Sequence, residues 1–271
     1  MEIEVLGPLD IRLDGTSIVP SAGKPRQILA LLALRAGRIV PVPVLMEEIW
    51  GDRIPRSAQT TLQTYILQLR RRISAARPDV RRPTAKDVLS TRFGGYLLSE
   101  PVHSSDVGTF QRLTAEGSAA LERGEAGLAA DVLGRALSLW HGSALIDVPT
   151  GHVLDTEILG IEEARARALE LRIEADLRLG RHAELLGELR MLVAQHPMHE
   201  SFHAQLMIAL CRSGHTWRAL DVYQQLRSAL VGELGVEPSD RIQRLHQQVL
   251  GGGLDKPRST YVERDLALEL R

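Results

Sequence analysis

Two groups of residues in this chain have the types and spacing that chemistry requires, and they point to different chemistries. The first is His199-Glu200-Ser201-Phe202-His203, with His196 close by. On a helix, His199 and His203 share a face, so two imidazoles could hold zinc while Glu200 serves as general base toward a bound water. The pattern fixes only three positions, however. It follows Pro197 at the start of a helical stretch, and no third ligand stands in a suitable context. The expectation is a chance match in a helix, with no metal and no catalytic residues. The second group is Thr60, Thr64, Gln68 and Arg71, at i, i+4, i+8 and i+11 on one face of a helix. Uncharged donors and acceptors suit base edges and guanidinium suits phosphate, so this face has the chemistry of a nucleic-acid reader.

The element that must carry the second group is one amphipathic helix beginning near Ser57, which can cap it, and ending near Ala76. Leu62, Ile66, Leu69 and Ile73 form its apolar stripe, and Arg70-Arg71-Arg72 a basic cluster. No acidic residue occurs between Asp52 and Asp79, whereas a helix that merely faces water usually mixes both signs at i, i+4. Gln68 could pair with adenine and Arg71 with guanine, or either could contact phosphate instead. Gln59, Gln63, Arg70 and Arg72 flank the stripe and suit phosphates. Upstream, KPRQILALLAL is an apolar helix with Pro25 in its first turn, and Lys24 and Arg26 there are weaker candidates for DNA contact. An ion pair of Arg26 or Arg70 with Glu47 or Glu48 is the competing assignment. PVPVLMEEIW is a short second helix, broken by Gly51-Asp52-Arg53-Ile54-Pro55. Downstream, residues 88–92 and 96–99 alternate around Phe93-Gly94-Gly95, a β-hairpin with Arg92 and Phe93 at its tip. Short strands at residues 3–6, 9–13 and 16–19 precede all this. Strands, three helices and a terminal hairpin make a winged helix-turn-helix of the kind found in OmpR-type response regulators. Its long helix would enter the major groove, and its hairpin would lie on the backbone or the minor groove.

Charge is divided along the chain. Residues 1–100 hold 15 Lys/Arg against 10 Asp/Glu, and residues 101–271 hold 18 against 24. A basic module joined to an acidic one suits a DNA reader attached to a protein-contacting body. After a polar join, helical spacing recurs over residues 110–123, 125–140, 156–179, 182–196, 200–212, 216–234 and 239–250. Gly180 and Gly214, like Leu186 and Leu220, are 34 residues apart, the spacing of tetratricopeptide repeats. The expected fold is mostly α: an OmpR-type winged helix (α+β) over residues 1–100, an all-α tetratricopeptide-like domain over 101–250, and a tail over 251–271. Trp50, Trp140 and Trp217 read as packing residues, and Cys211 as a small core residue. A single cysteine excludes an internal disulfide, and no signal peptide or membrane span is apparent, so the expected location is the cytoplasm, at the nucleoid. Phosphate-binding loops and nucleophile motifs are missing, which argues against an enzyme or a cofactor.

With both halves read, the whole chain resembles the SARP family, the Streptomyces antibiotic regulatory proteins. EVLGPLDI, KPRQILALLAL, LMEEIWG, TLQTYILQLRR and FGGYLL look like that family's DNA-binding module. ALSLWHG, ALIDVP, LELRIEADLRLGRHAELLGELR, HPMHESFHAQLMIALCRSG and ELGVEPS look like its bacterial transcriptional activation domain. The resemblance implies activation of a secondary-metabolite gene cluster. Two protomers would sit side by side on direct repeats near the −35 region of promoter DNA and hold RNA polymerase there through its sigma factor and other subunits. Asp52, Arg53 and Arg56, in the loop before the long helix, are candidate polymerase contacts. The alternative is a repressor or architectural protein whose helical domain only dimerises. An adaptor whose winged helix binds protein would not need an acid-free basic helix.

Overall fold

Period-two alternation at the start of the chain produces strands because each buries one side of the ribbon. In the computed structural model, which describes residues 1–77, 83–99, 102 and 104–252, β1 (Glu2–Glu4) pairs antiparallel with β2 (Asp10–Leu13), Ile3 facing Ile11. β3 (Thr16–Ser17) continues the sheet through the turn Asp14-Gly15, where both residues have positive φ, 52° and 79°. That backbone matches the twist of a two-residue hairpin. α1 (Gly23–Leu34) is apolar almost all round and correspondingly buried from Gln27 to Ala33. α2 (Val42–Trp50) and α3 (Ala58–Ala76) follow, and Leu62, Ile66, Leu69 and Ile73 of α3 are all buried in the same core.

Three short elements add to the sequence-derived set. β4 (Ile39–Pro41) pairs with β6 (Gly95–Leu98), which also pairs with β5 (Leu89–Arg92), giving a sheet ordered β4-β6-β5. A three-residue strand has no local signal, since it exists only through its partner. α4 (Ala85–Val88) is a single turn held by a capping box between Thr84 and Asp87, and the Thr84 hydrogen bonds lower the Asp87 pKa. β7 (Ser104–Ser105) lies in the polar join and adds parallel to β1. The helix cap assigned to Ser57 is a correction. Its side chain makes no capping hydrogen bond, because its backbone (φ −87°, ψ 3°) already turns instead of adopting the extended form a cap needs.

Residues 1–115 pack with residues 135–167 as one compact unit, and residues 116–134 pack with residues 168–252 as a second, among the described residues. The first unit therefore completes its core with later sequence. It includes the start of α5 (Asp106–Glu122), the end of α6 (Ala126–Leu137) and the start of α7 (His152–Arg178). Asp106 accepts the backbone N–H groups of Val5 and Leu6 at 2.6 and 2.7 Å, and Leu145 N–H donates to the Val5 carbonyl at 3.0 Å. Leu145, Val148 and Leu154 join the same hydrophobic core as α1 and α3. Glu48 of α2, only 2% exposed, accepts Gly151 N–H at 2.7 Å and Leu154 N–H at 2.8 Å, and also takes the Gln27 amide. A carboxylate on the free N–H groups at a helix start satisfies donors that the helix cannot pair itself. Gly151 is required there, since a Cβ would lie 2.1 Å from the Glu48 carbonyl oxygen.

The second unit is helical: the remainder of α5, α6 and α7, then α8 (His182–Gln195), α9 (Glu200–Arg212), α10 (Thr216–Leu234) and α11 (Asp240–Leu250). Its repeat period is visible in the turns, where Gly180 and Gly214 both have φ near 78° (79° and 77°). Cys211 is buried here, and Trp140 is buried in the first unit against Phe110, edge to face at 5.5 Å. Trp217 departs from its packing assignment. It is 67% exposed, because its position on α10 lies outside the buried set Ala219, Val222, Tyr223, Leu226 and Leu230. The tail from residue 253 lies outside the described residues.

Candidate nucleic-acid interface

The burial pattern of α3 separates its two faces. Gln59, Thr60, Gln63, Thr64, Gln68 and Arg71 are all exposed, opposite the buried leucine–isoleucine stripe. Thr60 to Arg71 spans about 16 Å at 1.5 Å per residue, a length that fits along a major groove about 12 Å wide. The Thr64 hydroxyl donates to the Thr60 carbonyl at 3.1 Å, so toward a base it offers an acceptor. Arg71 makes no hydrogen bond or ion pair with any described residue and is free to meet an external anion. One residue of this face escaped the sequence reading. Leu67, 49% exposed, lies in the middle of the stripe, and its helical position relative to Thr60 and Thr64 was the available signal.

The remaining basic candidates divide by their partners. Arg70 donates its guanidinium to the Leu89 carbonyl at 2.9 and 3.0 Å and to the Thr91 hydroxyl at 3.0 Å, which fastens α3 to the first strand of the hairpin. Arg26 donates to the Pro20 carbonyl and pairs with Asp147 at 2.7 Å. Both are thus internal ties, though neither meets Glu47 or Glu48 as the ion-pair assignment had it. The Glu48 carboxylate is already occupied by Gln27, Gly151 and Leu154. Arg72 stays exposed while donating to the Val19 carbonyl at 3.0 Å. Exposed Lys24 stands 5.4 Å from the centroid of the Trp50 ring.

At the hairpin tip, Arg92 is exposed and Phe93 is 97% exposed. Phe93 and Gly94 form the two-residue turn, with φ of 42° and 76°. A bulky residue in the left-handed region carries backbone strain of about 1–3 kcal/mol, and such outliers cluster where a surface is used. Gly95 permits the sheet beneath, since a Cβ there would lie 2.4 Å from the Val40 carbonyl oxygen. The loop before α3 leaves Asp52, Arg53 and Arg56 exposed, with Ile54 51% exposed among them.

The histidine cluster has other work. His199 Nε2 faces Glu170 at 3.4 Å, and its ring stacks on Phe202 with centroids 4.2 Å apart. Glu200 accepts both the backbone N–H and the hydroxyl of Ser239, the residue just before α11. His203 is 2% exposed and donates from Nδ1 to the His199 carbonyl at 3.1 Å, and burial lowers its pKa below the ordinary histidine value. Among the described residues, no three His, Cys, Asp or Glu side chains are grouped to hold a metal ion, and no helix is long and apolar enough to cross a membrane.

A polar, acid-free helix face with a strand-built wing beside it defines a winged helix-turn-helix protein of the DNA-binding transcription-regulator class. Comparison with known proteins agrees. The family described as "Transcriptional regulatory protein, C terminal" matches residues 17–98, and "Bacterial transcriptional activator domain" matches residues 105–250. The chain is 53% identical over 258 residues to regulatory protein DnrI of Streptomyces peucetius, covering 94% of this chain and 95% of DnrI. It is 35% identical to transcriptional regulator RedD of Streptomyces coelicolor, covering 92% of this chain and 70% of RedD. Against regulatory protein AfsR of Streptomyces griseus it is also 35% identical, over 92% of this chain but 24% of AfsR. Among solved structures, Mycobacterium tuberculosis EmbR in complex with a low-affinity phosphopeptide superposes with a TM-score of 0.85 at 27% identity, covering 99% of this chain and 68% of that one. The chain belongs to the Streptomyces antibiotic regulatory protein family of transcriptional activators.

Proposed function

We propose that this protein activates transcription of a secondary-metabolite gene cluster from the cytoplasm, by binding direct repeats near the −35 region of its promoter and recruiting RNA polymerase. The observation that carries the reading is the exposed face of α3, a stripe of threonine and glutamine interrupted only by Leu67 and ending in an unpaired arginine, with no acidic residue on the helix. In this reading Thr60, Thr64, Gln68 and Arg71 meet base edges, while Gln59, Gln63 and Arg72 meet phosphates. Arg92 and Phe93 reach the minor groove or the adjoining backbone, and Lys24 adds charge at the rim. Two protomers occupy successive repeats, and the loop carrying Asp52, Arg53 and Arg56 faces the polymerase holoenzyme with its sigma factor. Recruitment needs no chemistry by the protein itself. About 1.4 kcal/mol of added contact raises promoter occupancy tenfold at a weak promoter.

The test is titration of purified protein onto its own cluster's promoter DNA at several salt concentrations, followed by transcription in vitro with polymerase holoenzyme. The reading expects sequence-dependent binding, log affinity falling by about 0.9 per phosphate contact for each decade of salt, and more transcript when protein is added. Affinity equal to that for unrelated DNA would remove the DNA-reading role. Specific binding with less transcript would assign repression.

A further inference from the structure

We infer that Leu67 reads a thymine in the major groove through the base's 5-methyl group. The inference rests on α3 being the reading helix, and the geometry of that helix supplies the rest. Leu67 follows Thr64 by three positions and precedes Arg71 by four, so it lies between them on the surface, in the middle of the stripe. Its side chain is 49% exposed, whereas Leu62, Ile66, Leu69 and Ile73 on the same helix are each 2% exposed or less. It is the one large apolar side chain on this face, and nothing in the first unit's core requires it. A single exposed leucine is unremarkable on a surface that stays wet. On a surface that must lose its water against base edges it needs an apolar partner, and among the four bases the thymine methyl is the apolar group displayed in the major groove.

Its neighbours sharpen the choice. The Thr64 hydroxyl, its proton held by the Thr60 carbonyl at 3.1 Å, can only accept from a base, which selects an amino group of adenine or cytosine. Arg71, one turn beyond Leu67, favours guanine. Leu67 therefore adds a contact of a kind that neither polar neighbour makes. It discriminates thymine from cytosine without a hydrogen bond.

The experiment uses the full chain. Binding sites are first enriched from a pool of random duplex DNA, and each thymine of the enriched repeat is then replaced singly by deoxyuridine, which pairs identically but lacks the methyl. For the wild-type protein, one thymine per repeat should weaken binding about threefold to tenfold on replacement, the scale of one buried methyl group. Leu67→Ala should be indifferent to that same replacement, while melting like wild type and binding unrelated DNA equally well. Equal losses for both proteins at every thymine would overturn the assignment. A pool from which no sequence enriches would remove the reading role of α3 itself, a distinct result that takes the assignment with it.

Discussion

Arg70, Arg71 and Arg72 are consecutive and chemically identical, yet each meets a different environment. A turn of 100° per residue sends the first to the hairpin, the second to solvent and the third toward the loop that holds Val19. Arg71→Ala should therefore cost about 1–3 kcal/mol of operator affinity with an unchanged melting temperature. Arg70→Ala should act the other way round. Removing it strands the Leu89 carbonyl and lowers stability by about 1–3 kcal/mol, which thermal melting would detect before any binding assay. His203 gives a pH prediction at the same scale. Its pKa is depressed chiefly by burial, which outweighs the hydrogen bond to the His199 carbonyl that favours the charged ring. The His199 imidazole adds a smaller depression, the Glu200 carboxylate partly offsets it, and His246 is shifted in the same direction by burial. The unfolded chain thus binds more protons than the folded one below the ordinary histidine value of 6.5. Stability should be full above that value and decline as pH falls beneath it. Melting curves at pH 7.5 and 5.5 would show this, and His203→Gln should flatten the dependence.

The hairpin β5–β6 is the element in which stability and the proposed DNA contact conflict. Phe93 combines a left-handed backbone with an almost fully exposed ring. Phe93→Gly relieves the backbone strain, so it should raise stability by about 1 kcal/mol while weakening DNA binding, measured by melting and by titration on the same sample. A variant that binds DNA like wild type would show that the ring does not touch it. Gly95→Ala tests the sheet beneath. With the new Cβ 2.4 Å from the Val40 carbonyl oxygen, β4 must separate from β6, and the melting temperature should fall sharply. Two glycines one position apart thus have different roles, Gly94 serving a turn with φ of 76° and Gly95 a close approach.

Across the whole molecule, the compact unit that carries α3 and the hairpin is not built from the first hundred residues alone, since it also takes in residues 135–167. Asp106 holds the end of β1, Leu145 and Val148 close the core, and α7 begins on the buried carboxylate of Glu48. A fragment of residues 1–100 lacks all three, so it should melt less cooperatively and at lower temperature than the full chain. Calorimetry of the two would decide it, and equal melting would mean that these ties are dispensable.

What the sequence determined by itself was local. The apolar stripe of α3, its acid-free polar face, the hairpin around Phe93 and the bounds of α9 and α10 follow from periodicity and turn chemistry, which neighbouring residues set. What the tertiary structure decided was partnership. β4 exists through β6, Arg26 is tied to Asp147 across 121 positions, and the histidine pattern resolves into a stacked ring, a carboxylate tied to Ser239 and a buried imidazole. Such pairings depend on which distant segments meet, and spacing along the chain carries no record of that.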